Sequence, residues 1–247
     1  MVDQRWDTRQ ADYLQRLIRQ YGQPVTAVHS PFTPHVPGWP PDEPGRIRES
    51  VRLAEAVGAK VVVHHLPPRL GWLWVQVGSR RFPLPGLNLG PAKAYYNWLL
   101  EAYEGFQAHT PVLLCIENMP TRRWLGRRWN GHYWNRVNEI VRFPAVTMDT
   151  THLGTWGIDP IEVYPQLQAK VRHVHLSNFN GQEHRRPEDG HLSLDRLLAF
   201  MAATGYEGAI SLELHPDALE AGRPDTRIIE LLQTSLNHCR RWATVVQ

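Results

Sequence analysis

A parallel α/β barrel is the fold this chain predicts, on three observations. Apolar runs of strand character alternate with stretches of helical spacing over most of the sequence. Six of the runs end on a residue able to bind a divalent metal: Thr26-Ala27-Val28-His29, Val61-Val62-Val63-His64, Leu113-Leu114-Cys115-Ile116-Glu117, Ala145-Val146-Thr147-Met148-Asp149, Arg172-His173-Val174-His175 and Ile210-Ser211-Leu212-Glu213. The length, 247 residues, suits one such barrel, which typically has about 250. In a closed parallel barrel the C-terminal strand ends converge on one mouth. A carboxylate or imidazole after each buried run would otherwise be a repeated desolvation cost, which a shared cation offsets at every position together.

The elements follow in order. Asp12 to Tyr21 sets Tyr13, Leu14, Leu17 and Ile18 on one helical face, and Gly22 suits the C-cap. The first strand is Val25 to His29. Ser30 to Gly45, rich in proline and glycine, is loop. Arg46 to Val57 is a helix with Leu53, Ala54 and Val57 inward, stopping at Gly58, and the strand Lys60 to His64 follows. Pro67 to Pro91 is a long insertion with a short hairpin over Trp72 to Phe82; connections of that length are usually functional or mobile. Ala92 to His109 is a helix with Tyr95, Leu99, Tyr103 and Phe106 along one side, leading into the strand Val112 to Glu117. A loop rich in arginine and a helix over Tyr133 to Val141 precede the strand Ala145 to Asp149. Helix Pro160 to Ala169, strand Val171 to Leu176, the polar loop Asn178 to His191, helix Leu194 to Thr204, strand Ala209 to Leu214 and helix Thr226 to Ala243 complete the order. Strands joined through helices make right-handed parallel units. Six strands are counted where a full barrel has eight, and the chain opens on a helix. The expectation is one domain over residues 1–247, a TIM-type (β/α) barrel either lacking its first two β/α units or closed differently, as by another chain. Its two sheet edges would favour a homo-oligomer.

Composition narrows the function classes. The chain is 42% hydrophobic and 21% charged, which is ordinary for a globular protein. No apolar stretch approaches the roughly 18 residues of a membrane span, and Met1 to Gln20 lacks a signal-peptide core, so the cytoplasm is the expected location. Two cysteines, Cys115 and Cys239, exclude a disulfide framework. The net charge is +3, with one basic cluster of Arg122, Arg123, Arg127 and Arg128 interleaved with Trp124 and Trp129. That cluster reads as a solvated loop or as a phosphate-binding surface; a nucleic-acid footprint needs clustering as well as sign, and the mild basicity with this cluster is what speaks for such a partner. Of ten tryptophans, Trp72, Trp74, Trp124 and Trp156 are candidates to stack on a sugar ring near the mouth.

Two ligand sets emerge. Glu117, Asp149, His175 and Glu213 offer three carboxylates and one imidazole, which suit Mn²⁺, Mg²⁺, Co²⁺ or Zn²⁺. His29, His64, His152 and His184 form a nitrogen-rich set for a further metal or for substrate, leaning toward Zn²⁺ or Fe²⁺. A lone histidine is more often a hydrogen-bonded structural group, and a lone glutamate after a strand is usually a loop charge. The case rests on six strand ends showing ligand types together. His35, His109, His132, His191, His215 and His238 read as structural or exposed, and His173 as a residue one layer below His175. Arg185 and Arg186, next to His184, are candidate clamps for a phosphate or for hydroxyls, or else a solvated pair.

The motifs Val-His-Ser-Pro-Phe (28–32), Val-Val-Val-His (61–64), Ile-Glu-Asn (116–118), Met-Asp-Thr-Thr-His (148–152), His-Val-His-Leu-Ser-Asn (173–178), Glu-His with Pro-Glu-Asp-Gly (183–190) and Leu-Glu-Leu (212–214) together resemble the xylose-isomerase-like barrel superfamily. That superfamily holds endonuclease IV and the sugar-phosphate isomerases and epimerases. The resemblance spans residues 25 to 214 and is specific for the superfamily, not for an activity. It implies that Glu117, Asp149, His175 and Glu213 are the metal site shared by both branches, with Glu117 and Glu213 also the acid and base of an epimerase. In the endonuclease branch, His29 and His64 would bind a second metal bridged by Glu117. His152 and His184 would bind a third, with an aspartate at the position held here by Gln182. Ser30-Pro31-Phe32-Thr33 departs from the Tyr and Asn usual after the first histidine, and Thr151 stands where a cysteine is common. These departures make nucleic acid a disfavoured partner. The implied activity is a divalent-metal-dependent isomerase or epimerase of a sugar, sugar phosphate or keto-polyol, moving a proton through a metal-held enediolate. The alternative is a metal-dependent phosphodiester hydrolase of the abasic-site endonuclease type.

Overall fold

The computed structural model describes residues 11–32, 36–77, 80–87, 90–124 and 126–243, with the backbone alone for 70–75, 77, 80–87 and 124. His35 and the side chains of Trp72, Trp74 and Trp124 therefore lie outside what is described. The chain divides into two units, residues 1–116 with 131–135, and residues 117–130 with 136–247.

In the first unit, α1 (Ala11–Tyr21) precedes β1 (Ala27–His29), and α2 (Glu43–Val57) precedes β2 (Val61–His65). The two strands are parallel, with Ala27 opposite Val61 and His29 opposite Val63. Helix α2 starts three residues before the spacing predicts. The Asp42 carboxylate caps it by accepting from Gly45 N at 2.8 Å, and Pro44 is tolerated in a first turn whose N–H groups are unpaired anyway. It stops at Gly58, which is left-handed at φ 77°. Ile47, Val51 and Ala54 form its buried side. The insertion holds a hairpin longer than expected, β3 (Leu70–Val77) against β4 (Arg80–Leu87).

The helix expected over residues 92–109 is broken at Ala102 into α3 (Pro91–Glu101) and α4 (Tyr103–Ala108). Tyr103 is thereby buried, and its hydroxyl donates to Leu114 O at 2.9 Å. Strand β5 (Leu113–Glu117) begins beside β2, with Leu113 N donating to Lys60 O, and its last residue, Glu117, opens the second unit. Residues 131–135 return to the first unit. There Tyr133 N donates to Pro67 O, and the rings of Tyr133 and Trp134 lie 4.6 and 4.5 Å from that of Tyr96. This stacking, with Trp134 left-handed at φ 53°, takes up the first turn of the helix expected over 133–141. Only α5 (Val137–Ile140) forms.

In the second unit the arginine-rich segment is a hairpin, not a loop. β6 (Arg122–Trp124) and β7 (Arg127–Trp129) pair around Gly126 at φ 74°, with Arg122 opposite Trp129 and Arg123 opposite Arg128. Three strands, β8 (Val146–Asp149), β9 (Val171–Leu176) and β10 (Ala209–Leu212), run parallel in that order. Helices α6 (Thr150–Trp156), α7 (Pro160–Leu167) and α8 (Leu194–Ala203) alternate with them. A 3₁₀ turn (Pro216–Leu219) and α9 (Asp225–Ala243) follow. Val146, Met148, Val174 and Leu176 are wholly buried, as a parallel sheet covered on both faces requires. Among the described residues, six strands carry the alternating β/α pattern, the number the apolar runs predict, and β10 is an edge strand with Ile210 exposed. No described helix is long and apolar enough to cross a membrane.

Candidate metal centre

Four strand ends deliver one charged cluster to the second unit. Glu117 closes β5, Asp149 closes β8, His175 is next to last in β9, and Glu213 follows β10. The register explains the meeting, because Asp149 and Ser211 flank His175 from the two neighbouring strands. One ligand atom from each of the four residues lies within 4.8 Å of all the others. His175 Nδ1 donates to Glu117 Oε1 at 2.9 Å, stands 2.6 Å from Glu213 Oε2, and is 3.9 Å from Asp149 Oδ2. A ring nitrogen carries one proton. Directed at Glu117, it leaves Glu213 Oε2 crowded on the same nitrogen with no hydrogen bond of its own. Asp149 Oδ2, fully buried, also has none.

Orphaned carboxylate oxygens in a buried site are costly unless a cation completes them. The donor set of three carboxylates and an imidazole is of the kind that holds Mg²⁺, Mn²⁺, Co²⁺ or Zn²⁺. The residues fit such an ion.

Electrostatics agree with that fit. Burial raises the Asp149 carboxyl well above its usual range, and the charges of Glu117 and Glu213 push it the same way. Burial alone would lower the His175 imidazole, but the adjacent Glu117 and Glu213 outweigh burial and hold it well above its usual value. Burial opposes ionisation of Glu213 too, yet the close approach and charge of His175 bring it down to about 2. Protons on Asp149 and His175 thus do what a cation would do.

Asp149 serves a second purpose. Its Oδ1 accepts from His152 N at 2.8 Å and caps α6, so the same carboxylate starts a helix and turns Oδ2 into the cluster. That helix brings His152 round to His184. Asp149, His152 and His184 each offer a ligand atom within 4.8 Å of the others, and the two rings are 5.4 Å apart. His152 Nδ1 meets Asn118 O at 2.7 Å, while its Nε2 is 3.9 Å from Glu183 Oε2. Glu183, the neighbour of Gln182, brings a carboxylate to this side.

The remaining members of the nitrogen-rich set lie in the first unit and part company. His29 ends β1 with its ring 4.9 Å from that of His65, not of His64. His64 is in the core, its Nδ1 2.7 Å from the Tyr95 hydroxyl and its Nε2 3.4 Å from that of Tyr103. Neighbours on a strand face opposite sides, so only one of two consecutive histidines can join His29.

Arg185 pairs with Asp189 at 3.1 Å and Arg186 with Glu188 at 3.3 Å, so carboxylates of the same loop match both. Arg122, Arg123, Arg127 and Arg128 are exposed. The Arg128 guanidinium packs on Gly157, where a side chain would overlap it. The Trp156 indole donates to Met119 O at 3.1 Å. His173 is buried under His175, its Nε2 3.3 Å from Ser211 Oγ.

Three contributors escape sequence reading: His65, Asn118 and the hydroxyl of Thr151. Each directly follows a strand-end ligand position or lies within two residues of one, which is the signal that could have found them.

A family model described as xylose isomerase-like TIM barrel matches residues 2–234. Uncharacterized proteins of Mycobacterium tuberculosis (strain ATCC 25618 / H37Rv) and Mycobacterium leprae (strain TN) are each 25% identical over 256 residues, covering 93% of this chain and 83% of theirs. Among solved structures the chain is similar to the 3-keto-D-glucoside 4-epimerase YcjR from E. coli in its apo form. That likeness is 15% in identity with a TM-score of 0.61, over 93% of this chain and 85% of that one. An L-ribulose 3-epimerase is 15% identical with a TM-score of 0.57, over 95% and 82%. An AP endonuclease of family 2 from Brucella melitensis is 16% identical with a TM-score of 0.56, over 88% and 80%. At these identities the structures show a shared fold. With the matched model spanning nearly the whole sequence, the chain belongs to the xylose isomerase-like TIM barrel family.

Proposed function

We propose that this protein is a divalent-metal-dependent isomerase or epimerase acting on a sugar, a sugar phosphate or a keto-polyol. The observation that carries this reading is the placing of two glutamates, Glu117 and Glu213, against one imidazole in the four-residue cluster. The epimerases among the solved relatives support it by fold. A cation held by Glu117, Asp149, His175 and Glu213 would supply Lewis acidity to a substrate carbonyl and its neighbouring hydroxyl.

The protein's own groups move the proton. Glu213, ionised at all but strongly acidic pH and partly open to solvent, takes the proton from the carbon beside the carbonyl. The C–H electron pair passes to the carbonyl oxygen, giving an enediolate. Glu117, whose Oε1 accepts from His175 and whose carboxyl enters the cycle carrying a proton on its other oxygen, gives that proton to carbon, and exchange with solvent then resets Glu213 as carboxylate and Glu117 as acid. Return to the opposite face of the same carbon epimerises it; return to the adjacent carbon, with the hydroxyl proton passing to the former carbonyl oxygen, isomerises the sugar.

The test is a screen of ketoses and polyol ketones in D₂O with Mn²⁺, Co²⁺, Mg²⁺ and Zn²⁺ in turn. Deuterium should enter beside the carbonyl of at least one substrate. Metal binding without exchange in any of them rejects the reading.

A second reading, phosphodiester hydrolysis at abasic sites, is favoured by the Asp149–His152–His184 group beside the first cluster and by the exposed arginine hairpin. More than one bound metal equivalent, with nicking of abasic DNA and no deuterium uptake into any ketose, would decide for it.

A further inference from the structure

We infer that Thr151 is a positioning residue, whose hydroxyl sets the loop that presents His184 to Asp149 and His152. The loop 178–192 is built on Asn178, which is 2% exposed. Asn178 Oδ1 accepts from Phe179 N at 2.8 Å and from Leu192 N at 2.9 Å, and its Nδ2 donates to Pro187 O at 2.7 Å. Its backbone exchanges two hydrogen bonds with Arg185, at 2.8 and 3.1 Å. Gly190 runs so close to this amide that any side chain there would overlap it. The loop therefore holds its own shape, and its placement on α6 is what remains to be set.

The Thr151 hydroxyl is the tie between loop and helix, beside the bond from His215 N to His184 O at 2.9 Å and the approach of Ser177 Oγ to His184 Nδ1 at 3.4 Å. Thr151, fully buried in the first turn of α6, donates to Asn178 O at 3.0 Å and accepts from His184 N at 3.2 Å. His184 is left-handed at φ 56°, a conformation that a residue with a side chain keeps only where its surroundings hold it. Thr150 makes the equivalent tie to the strand instead, accepting from Ser177 N at 3.0 Å and meeting Ser177 O at 2.6 Å. All three members of the second ligand group thus depend on the start of one helix. Asp149 caps it, His152 stands in its first turn, and His184 is held to it through Thr151.

The role in metal binding rests on the reading of that group as a metal site; the role in placing His184 does not. The experiment separates the two. Thr151→Val keeps the shape of the side chain and removes the hydroxyl, while Thr151→Ser keeps the hydroxyl. In the metal-free full chain, the His184 amide should be protected from hydrogen exchange. It should exchange about tenfold faster or more in Thr151→Val, with β9 amides unchanged, and regain protection in Thr151→Ser. Titration with Co²⁺, followed by its visible absorption, should show affinity at this group falling by about tenfold or more in Thr151→Val and recovering in Thr151→Ser, as for other groups that orient metal ligands. Wild-type exchange at His184 in Thr151→Val overturns the inference. So does an unprotected His184 amide in the wild-type chain, a result available even if Thr151→Val does not fold. Protection that follows the hydroxyl, with no Co²⁺ bound by any variant or by wild type, upholds the positioning and removes the metal reading.

Discussion

The side-chain amide of Asn118 closes on both backbone groups of Asp149, its Nδ2 donating to Asp149 O at 3.0 Å and its Oδ1 accepting from Asp149 N at 2.8 Å. Asn118 follows Glu117 directly, so one amide ties two ligand positions together, one by the chain and one by hydrogen bonds. Its own carbonyl meets His152 Nδ1 at 2.7 Å. Replacing it should disturb ligands that it never contacts through a cation. Asn118→Leu removes both of these hydrogen bonds at buried groups and is expected to destabilise the fold by about 2–4 kcal/mol. Asn118→Asp restores the acceptor but sets a carboxylate against the Asp149 carbonyl, and should recover only part of the loss. Urea denaturation of both variants is the check, and a wild-type midpoint for Asn118→Leu contradicts the assignment.

Metal uptake should release protons. In the metal-free cluster Asp149 and His175 both titrate above their ordinary values of 3.8 and 6.5. Glu117, Glu213, His152 and His184 face them. A raised group binds more protons in the folded state, so its contribution to stability is complete below the unfolded value and is lost as pH rises through the folded one. Both groups therefore make the metal-free fold less stable as pH rises, Asp149 from near 3.8 upward and His175 from near 6.5 upward. Glu213, lowered from 4.5 to about 2, has the opposite sign: its contribution is present above 4.5 and is lost toward 2. Ligands must be deprotonated to bind, so metal should bind more tightly at higher pH. Thermal midpoints measured across pH with chelator and with Mn²⁺ should diverge as pH rises. Parallel curves would mean that no ion displaces these protons.

Cys239 should be a poor nucleophile near neutral pH. Burial, reinforced by the charge of Glu188, pushes its thiol up to about 11, and Cys115 is fully buried. Only the thiolate is alkylated. Iodoacetamide should label the native chain slowly at about pH 7.5, with Cys239 accelerating toward pH 11 and Glu188→Gln shifting that rise downward. Rapid labelling of the native chain at neutral pH, or an unmoved profile in Glu188→Gln, is incompatible with this environment.

What was legible in the sequence follows from where each residue gets its position. Glu117, Asp149, His175 and Glu213 owe theirs to being at strand ends, which is a property of chain order, and the apolar runs mark those ends. The choice between His64 and His65 is not local. It depends on which side of β2 meets Tyr95 and Tyr103, 31 and 39 residues further on from His64. Asn118 and Thr151 stand in the motifs without a role that spacing could assign, because their partners lie 31 and 27 positions away. The hairpin was more nearly within reach. Arg-Arg-Trp repeats on either side of Leu125-Gly126, and two similar runs around a two-residue turn with glycine are a hairpin signal, which the charge of the segment obscured.

Glu213 and Glu117 are expected to separate metal binding from proton transfer. Glu213→Gln keeps the side chain's length and its carbonyl oxygen but removes the basic carboxylate beside His175. General-base removal typically lowers rates by about 10²–10⁴-fold, and deuterium exchange into a substrate ketose should fall by that order. The metal site keeps Glu117, Asp149 and His175, so Mn²⁺ binding should weaken but persist. Glu117→Gln keeps an oxygen that can accept from His175 Nδ1 but removes the negative charge from a fully buried ligand position and the proton it would return, and should impair both functions together, because Glu117 would hold the ion as well as serve in turnover. Exchange rates and Mn²⁺ affinities for the two variants therefore form a pattern. Glu213→Gln exchanging deuterium at the wild-type rate with metal bound would leave it no role as base, and equal losses of metal in both variants would reduce both residues to ligands.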